Sequence, residues 1–300
     1  MSPNPFEKND TASITQGLEL PLVHRVALVR SHSASRIGWH SHSQYEALFL
    51  GEGATVYEVS DGRTIRLFGG QCLVIPPGTV HRGLDDVRQP ALLCGVMFET
   101  SKSSSLTRYT PFSDSDLKRI QEELDWLALK PVNMSRELRT EIQLLPAQIE
   151  AFDERNRHLV LSLRLRLCRI LLELSRHRTN QVIVSGPDYV EKAIGIMRDT
   201  LHEPISILDL ATKAGCSRAH LFSVFKEKTG MTPNDYWQRM RVQEAFRRVT
   251  ESNDSFTRIA IDCGFSTSQY FCSVFRKYWG TSPSECRKKS QSVSRSSAND

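Results

Sequence analysis

Three histidines and one glutamate carry the densest chemistry in this chain. His40, His42 and Glu46 lie in GWHSHSQYEALFLGEG, and His81 closes GGQCLVIPPGTVH. Three imidazoles and a carboxylate form a donor set for a divalent metal such as Mn, Fe, Ni or Zn. The same groups can hydrogen-bond a polar small molecule with no metal present. Alternate residues of an extended strand share a face, so His40 and His42 are expected to point the same way. Of the neighbouring aromatics Trp39, Tyr45 and Phe49, packing in a core is the commoner role. Tyr45, beside Glu46, is kept with His40, His42, Glu46 and His81 as a candidate ligand contact. Gly51-Glu52-Gly53 is too short for a phosphate loop and reads as a β-turn.

A second set of chemistry-bearing residues is repeated. ILDLATKAGCSRAHLFSVFKEKTGMTP (207–233) and FTRIAIDCGFSTSQYFCSVFRKYWGTSP (256–283) share one pattern. Leu221/Phe271, Val224/Val274, Phe225/Phe275, Gly230/Gly280 and Pro233/Pro283 match at a constant offset, and Ala211/Ala260 and Gly215/Gly264 match one residue out of step. Two short helices joined by a Gly-containing turn place the second helix in a DNA major groove. Leu221, Val224 and Phe225, like Phe271, Val274 and Phe275, are expected to face inward. The outward faces then carry Arg218, Ala219, Phe222, Ser223 and Lys226 in the first copy. In the second they carry Ser268, Gln269, Cys272, Ser273, Arg276 and Lys277. Gln bonds adenine bidentately, Ser bonds several base edges and apolar groups pack on a thymine methyl. Arg and Lys near the helix ends, with Arg287, Lys288 and Lys289, suit phosphates. From Asp188 to Ser290, sixteen Lys and Arg face twelve Asp and Glu, an excess of about four positive charges.

These side chains need two kinds of scaffold. VHRVALVR, EALFLGEGATVYEV, TIRLF, QCLVIP and ALLCGVMF are short apolar runs parted by turn residues, with Asp61-Gly62 a hairpin signal. They predict a β-sandwich or barrel. Residues 101–115 read as a loop. From Asp116 the period changes: Leu117, Ile120, Leu124 and Leu127 fit a helix, and a further helical stretch runs to about Arg178. Leu161, Leu165, Cys168 and Leu172 recur at heptad-like spacing, which suits packing on the strands or a dimer seam. TNQVIVSGPD (179–188) reads as a linker. Beyond it the chain reads as helical, with Val190, Ala193, Ile194, Met197 and Leu201 on one face. Ser206, Ser217, Thr232, Ser255 and Ser282 are placed as N-caps, Gly215 as a stop, and Pro233 and Pro283 as first helical residues.

With 300 residues the chain is long enough for two domains, and 39% hydrophobic and 24% charged residues suit a water-soluble protein. The net charge of +5 is only mildly basic. Seven scattered cysteines with no CxxC pair argue against a disulfide framework or a structural zinc. No export signal opens the sequence and no run approaches a membrane span, so a cytoplasmic protein without membrane partners is expected. No catalytic triad, P-loop or dinucleotide fingerprint occurs.

The two histidine-bearing segments resemble the paired motifs of cupins: HxH, Glu46 and Gly53 in the first, Gly70, Pro76, Gly78 and His81 in the second. Ala34 stands where the first motif usually has its leading glycine. In metal-binding cupins the counterparts of His40, His42, Glu46 and His81 are the ligands. Residues 188–290 resemble the DNA-binding domain of the AraC/XylS transcription regulators. That resemblance implies base-reading roles for Ala219, Phe222, Ser223, Ser268, Gln269 and Ser273. Many members carry Arg where this chain has Ser223 and Ser273, which moves expected specificity toward DNA shape, methyl contacts and Gln269. The combined resemblance implies an architecture of both α and β. A cupin-like barrel sensing an effector (1–110) precedes a helical dimerisation or connector segment (111–180). An all-α domain with two helix–turn–helix units (181–290) and a disordered tail (291–300) follow. It also implies an activator that is not an enzyme, with promoter DNA, RNA polymerase, a second copy and a sugar-like effector as partners. The alternative is a metal-dependent cupin enzyme fused to a DNA-binding module.

Overall fold

The computed structural model describes residues 10–99, 106–176, 189–203 and 205–296, with side chains from 11 to 291. The chain divides into two compact units, parted between residues 176 and 189, so the 179–188 linker reading falls outside the described residues.

The first unit is built on β1 (Asp10–Ile14), β2 (Val23–Arg30), β3 (Ser35–Arg36), β4 (Tyr45–Val59), β5 (Thr64–Phe68), β6 (Gln71–Ile75), β7 (His81–Gly83), β8 (Val87–Arg88), β9 (Ala91–Phe98) and β10 (Val132–Asn133). The main sheet runs β1-β2-β9-β4-β6-β10, and β4 also pairs with β5 and β7. Among the described residues these pairings trace a path with free ends, not the closed ring of a barrel. The cause is β4, a 15-residue strand that changes partners along its length. Its first part lies between β9 and β6, and its second part carries β5 and β7. Gly51-Glu52-Gly53 marks the change. It is no β-turn but a strand interior, with a register shift between Leu50 and Glu52. Gly53 has φ +105, and a Cβ there would stand 2.7 Å from the Pro90 carbonyl oxygen, so only glycine fits.

Three helices cover one face of this sheet: α1 (Asp114–Leu127), α2 (Arg136–Glu150) and α3 (Arg157–Ser175). Ser113 opens α1 in a reciprocal capping box with Asp116. Leu117, Ile120, Leu124 and Leu127 are buried, as their spacing predicted. Helices and sheet share one core with Val26, Leu28, Phe49, Val96 and Phe98. Residues 111–176 therefore belong to the first unit and are no free-standing connector. On α3 the core stripe is Leu163, Leu167, Ile170, Leu171 and Leu174. Leu161, Leu165 and Leu172 stand outside at 54%, 61% and 43% exposure, while Cys168, the fourth residue of the heptad-like series, is buried. All seven cysteines are free. Among the described residues no helix is long and apolar enough to cross a membrane.

The second unit contains α4 (Tyr189–Asp199), α5 (Ile207–Ala214), α6 (Arg218–Thr229), α7 (Pro233–Glu251), α8 (Phe256–Asp262), α9 (Ser268–Trp279) and α10 (Pro283–Ser296). Side-chain oxygens of Ser206, Ser217, Thr232 and Ser255 each accept a backbone N–H in the first turn of their helix. Gly215, Gly230 and Gly280 end α5, α6 and α9 in the left-handed conformation, with φ of 92°, 67° and 69°. The chain stays helical to Ser296, well into the 291–300 stretch read as a disordered tail. Its start explains the difference: Ser282 and Glu285 cap each other, and Arg287 ties α10 to the Val249 carbonyl at 3.1 Å.

Candidate ligand cavity and nucleic-acid interface

The uncovered face of the first sheet lines a cavity of about 230 Å³. Strand alternation decides what enters it. On β9, Cys94, Val96 and Phe98 face the helices, whereas Leu93, Gly95 and Met97 line the cavity. On β4, Tyr45, Ala47 and Phe49 face the helices, whereas Glu46 and Leu48 line it. Tyr45 therefore cannot be the ligand contact expected from its place beside Glu46. It is buried on the opposite face and donates its hydroxyl hydrogen to Asp125 on α1 at 2.5 Å.

The four sequence-picked donors do converge. His40, His42, Glu46 and His81 offer ligand atoms all within 4.8 Å of one another. His40 and His42 are not on a regular strand, as alternation suggested. They lie in an extended loop that the backbone zips to the second motif. His40 and His81 exchange backbone hydrogen bonds of 3.0 and 2.9 Å, and the Gly78 N–H donates to the His42 carbonyl at 2.7 Å. His40 Nδ1 lies 2.8 Å from the Gly38 carbonyl and His81 Nδ1 lies 3.0 Å from the Thr79 carbonyl. A carbonyl can only accept, so each of these Nδ1 atoms carries a proton. The Nε2 atoms of His42 and His81 are buried, 3.5 and 3.4 Å from Glu46 Oε2, beyond a well-formed hydrogen bond. Burial alone would raise the Glu46 pKa. The two imidazoles outweigh it and bring it down to about 2, so Glu46 is a carboxylate at neutral pH. Burial lowers the pKa of His40, helped by its two histidine neighbours. A convergent set of three imidazoles and a carboxylate fits a divalent cation.

The same cavity holds polar groups that motif reading missed: Thr11, Arg25, Tyr57 and Arg88. Tyr57 is signalled by alternation along β4. Arg25 is signalled in the same way along β2, alternating with the core residues Val26 and Leu28 and sharing a face with Ala27 and Val29. Burial pushes the Tyr57 hydroxyl up to about 12, against the pull of Arg88.

In the second unit the two reading helices match the inward stripes, with one exception. Phe271, Val274 and Phe275 are buried on α9, and Leu221 and Phe225 on α6, but Val224 is half-buried. Arg218, Ala219, Ser223 and Lys226 are exposed on α6, as are Gln269, Ser273, Arg276 and Lys277 on α9. Phe222, Ser268 and Cys272 are half-exposed. Arg218 reaches over the Phe222 ring at 5.8 Å. Two exposed residues were not singled out, His220 and Tyr270, which occupy equivalent places before Leu221 and Phe271. His220 packs edge-on against Tyr189, and the Tyr270 hydroxyl accepts from Gln238 on α7 at 3.0 Å. Arg287, expected at a phosphate, instead lies over Phe256 at 4.4 Å.

Helix α7 links the two copies. Phe246 stacks on Trp279 of α9 with ring centres 3.6 Å apart, and Phe225 of α6 meets Tyr236 edge-on. Arg248 reaches Asp262 of α8 at 2.7 Å while Glu244 holds it at 3.1 Å. Arg247 and Arg258 are also held by acids. Arg218, Lys226 and Lys277, on the reading helices, form no ion pair among the described residues, which leaves their charge for phosphate.

The profile of a helix-turn-helix domain matches residues 210–289. The MmsAB operon regulatory protein of Pseudomonas aeruginosa is 26% identical over 266 residues, 87% of this chain and 79% of that protein. The HTH-type transcriptional activator RhaS of Pectobacterium carotovorum is 25% identical over 256 residues, 83% of this chain and 86% of that one. Among solved structures, an AraC-type DNA-binding domain from Chromobacterium violaceum is 29% identical. It covers 34% of this chain and 91% of its own, with a TM-score of 0.33.

Proposed function

We propose, from the premise that this chain belongs to the AraC/XylS type of helix–turn–helix transcription regulators, that its N-terminal cavity tunes its grip on promoter DNA. The chain is a DNA-binding regulator and not an enzyme. The observation that carries the reading is the pair of helices α6 and α9, each anchored by a buried stripe and each presenting polar and basic side chains to solvent. Helices of this kind enter the major groove. Ser223, Gln269 and Ser273 read base edges, Ala219 and Phe222 meet thymine methyls, and Arg218, Lys226, Arg276 and Lys277 position the backbone. Ser268 and Cys272 flank the reading face. RhaS is a transcriptional activator, and the sense of regulation proposed for this chain is likewise activation; RNA polymerase is the further partner that activation calls for.

The cupin-like first unit supplies the control. His40, His42, Glu46 and His81 face one cavity, and a small polar effector there is the input. The donor set also fits a divalent metal, since the buried Nε2 atoms of His42 and His81 have no well-formed hydrogen bond and the Nδ1 atoms of His40 and His81 are each held by a backbone carbonyl. Bound there, a metal supplies a Lewis-acidic anchor for an effector oxygen. The exposed Leu161, Leu165 and Leu172 stripe on α3 supports a homodimer, because a one-sided leucine row at heptad-like spacing is covered well by a second copy.

Footprinting on DNA upstream of neighbouring operons tests the central reading. Protection of a defined site spanning two successive major grooves is expected. Salt-sensitive binding with no preferred site overturns it. Leu165→Lys is expected to halve the mass of the species in sedimentation if the leucine row is the dimer seam.

A further inference from the structure

We propose that the cavity of the first unit selects a small hydroxylated carboxylic acid, whose carboxylate is received by Arg25 and Arg88. This rests on the effector reading above and adds the charge of the effector to it.

Arg25 and Arg88 both line the cavity. The Nε atom of each is buried and has no hydrogen-bond partner, and neither guanidinium has an ion pair among the described residues. A buried Nε without a partner has lost its water uncompensated, so two half-exposed guanidiniums of this kind in one cavity need a reason. On β2, Val26 and Leu28 belong to the helix-covered core, so strand alternation places Arg25 on the cavity face with Ala27 and Val29.

The charges of the lining define the guest. Glu46 is the one carboxylate among the lining residues, against two guanidiniums. Arg meets a carboxylate through paired N–H donors. Glu46, which only accepts, calls for hydroxyl donors on the same guest. Neutral sugars satisfy Glu46 but leave both guanidiniums bare.

The test is calorimetry on the full chain with matched pairs: D-glucuronate and D-glucose, D-galacturonate and D-galactose, D-gluconate and sorbitol. Binding of at least one acid is expected, with its neutral partner weaker by about tenfold or more. Arg25→Gln and Arg88→Gln should each weaken that acid by about tenfold or more, and Arg25→Lys by less. The unliganded variants should melt no lower than the parent, since each removes a half-exposed guanidinium with no ion pair among the described residues; a residue serving only the fold would behave oppositely. Arg63→Gln, which alters an exposed pair with Asp61, should leave acid affinity unchanged. Equal binding of acid and neutral partner, unchanged acid affinity in both glutamine variants, or no binding by any acid of the set overturns the proposal. If the operator footprint responds to a neutral sugar and both arginine variants keep that response, effector control stands and the anion assignment falls. If an acid binds through both arginines while the footprint ignores it, the anion site stands and its coupling to DNA falls.

Discussion

In the first unit the groups proposed to meet a small molecule come from β2, β4, β7, β8 and the loop that carries His40 and His42, and most are half-buried. In the second unit the groups proposed to meet DNA come from two single helices and mostly stand in solvent. Cavity side chains carry the consequences of burial. Glu46 is held ionised by its imidazole neighbours, Tyr57 is held neutral by desolvation, and Arg25 and Arg88 have no carboxylate partner among the described residues. The outward groups of α6 and α9 pay no such desolvation cost. Recognition in the cavity is therefore tied to the stability of the fold, whereas recognition on the helices is separable from it. A regulator so built can exchange DNA targets by surface substitution, but must rebuild a lining to exchange effectors.

That contrast is sharpest on α9 itself. Phe271 is fully buried and Gln269, two residues away, is exposed. Phe271→Ala is expected to destabilise the second unit by about 3–5 kcal/mol and to abolish DNA binding through unfolding, as read by thermal melts. Next in size is the metal. Elemental analysis of protein purified without chelator should find a stoichiometric divalent ion if the four donors hold one. Metal at a hundredfold above its Kd adds about 2.7 kcal/mol, which a chelator removes and His42→Ala abolishes. A melting temperature indifferent to chelator and to added Mn, Fe, Ni or Zn leaves the cavity to the effector alone.

Gln269→Ala comes third. It should relax preference at one base by about 1–3 kcal/mol in a binding-site selection, with stability unchanged within about 0.5 kcal/mol. An unchanged site profile would remove Gln269 from the readout and weaken the claim that exposed α9 residues carry specificity. The smallest effect concerns the joint between the copies. Arg247, then Arg248, lowers the pKa of Glu244. A depressed carboxylate stabilises the fold above its unfolded pKa, and this is lost as pH falls through the folded value. Glu244→Gln should therefore flatten the acid side of the second unit's stability profile by less than about 1 kcal/mol, and change nothing at alkaline pH.

The helical reader was legible because its signals are local. Ser206, Ser217, Thr232 and Ser255 cap helices within their own first turns, and the Leu221 and Phe271 stripes repeat at the period of one helix. Val224 broke the pattern because its burial depends on what packs against α6. Arg287 broke it because a basic residue near a helix start can equally turn back, here toward Phe256. In the first unit the motif spacing brought His40, His42, Glu46 and His81 together, while Tyr45 fell on the wrong face and the heptad-like series split between core and solvent.

Sequence alone determined the five longer strand runs, the caps and stops of the second unit's helices from Ser206 to Gly280, and which four donors share a site. These follow from periodicity, caps and motif spacing, all of them short-range. Only the tertiary structure decided that Arg88 joins Arg25 in one cavity, that Tyr45 faces the helices, and that the leucines of α3 divide between core and surface. Each depends on which distant elements pack against the strand or helix, which local periodicity does not carry.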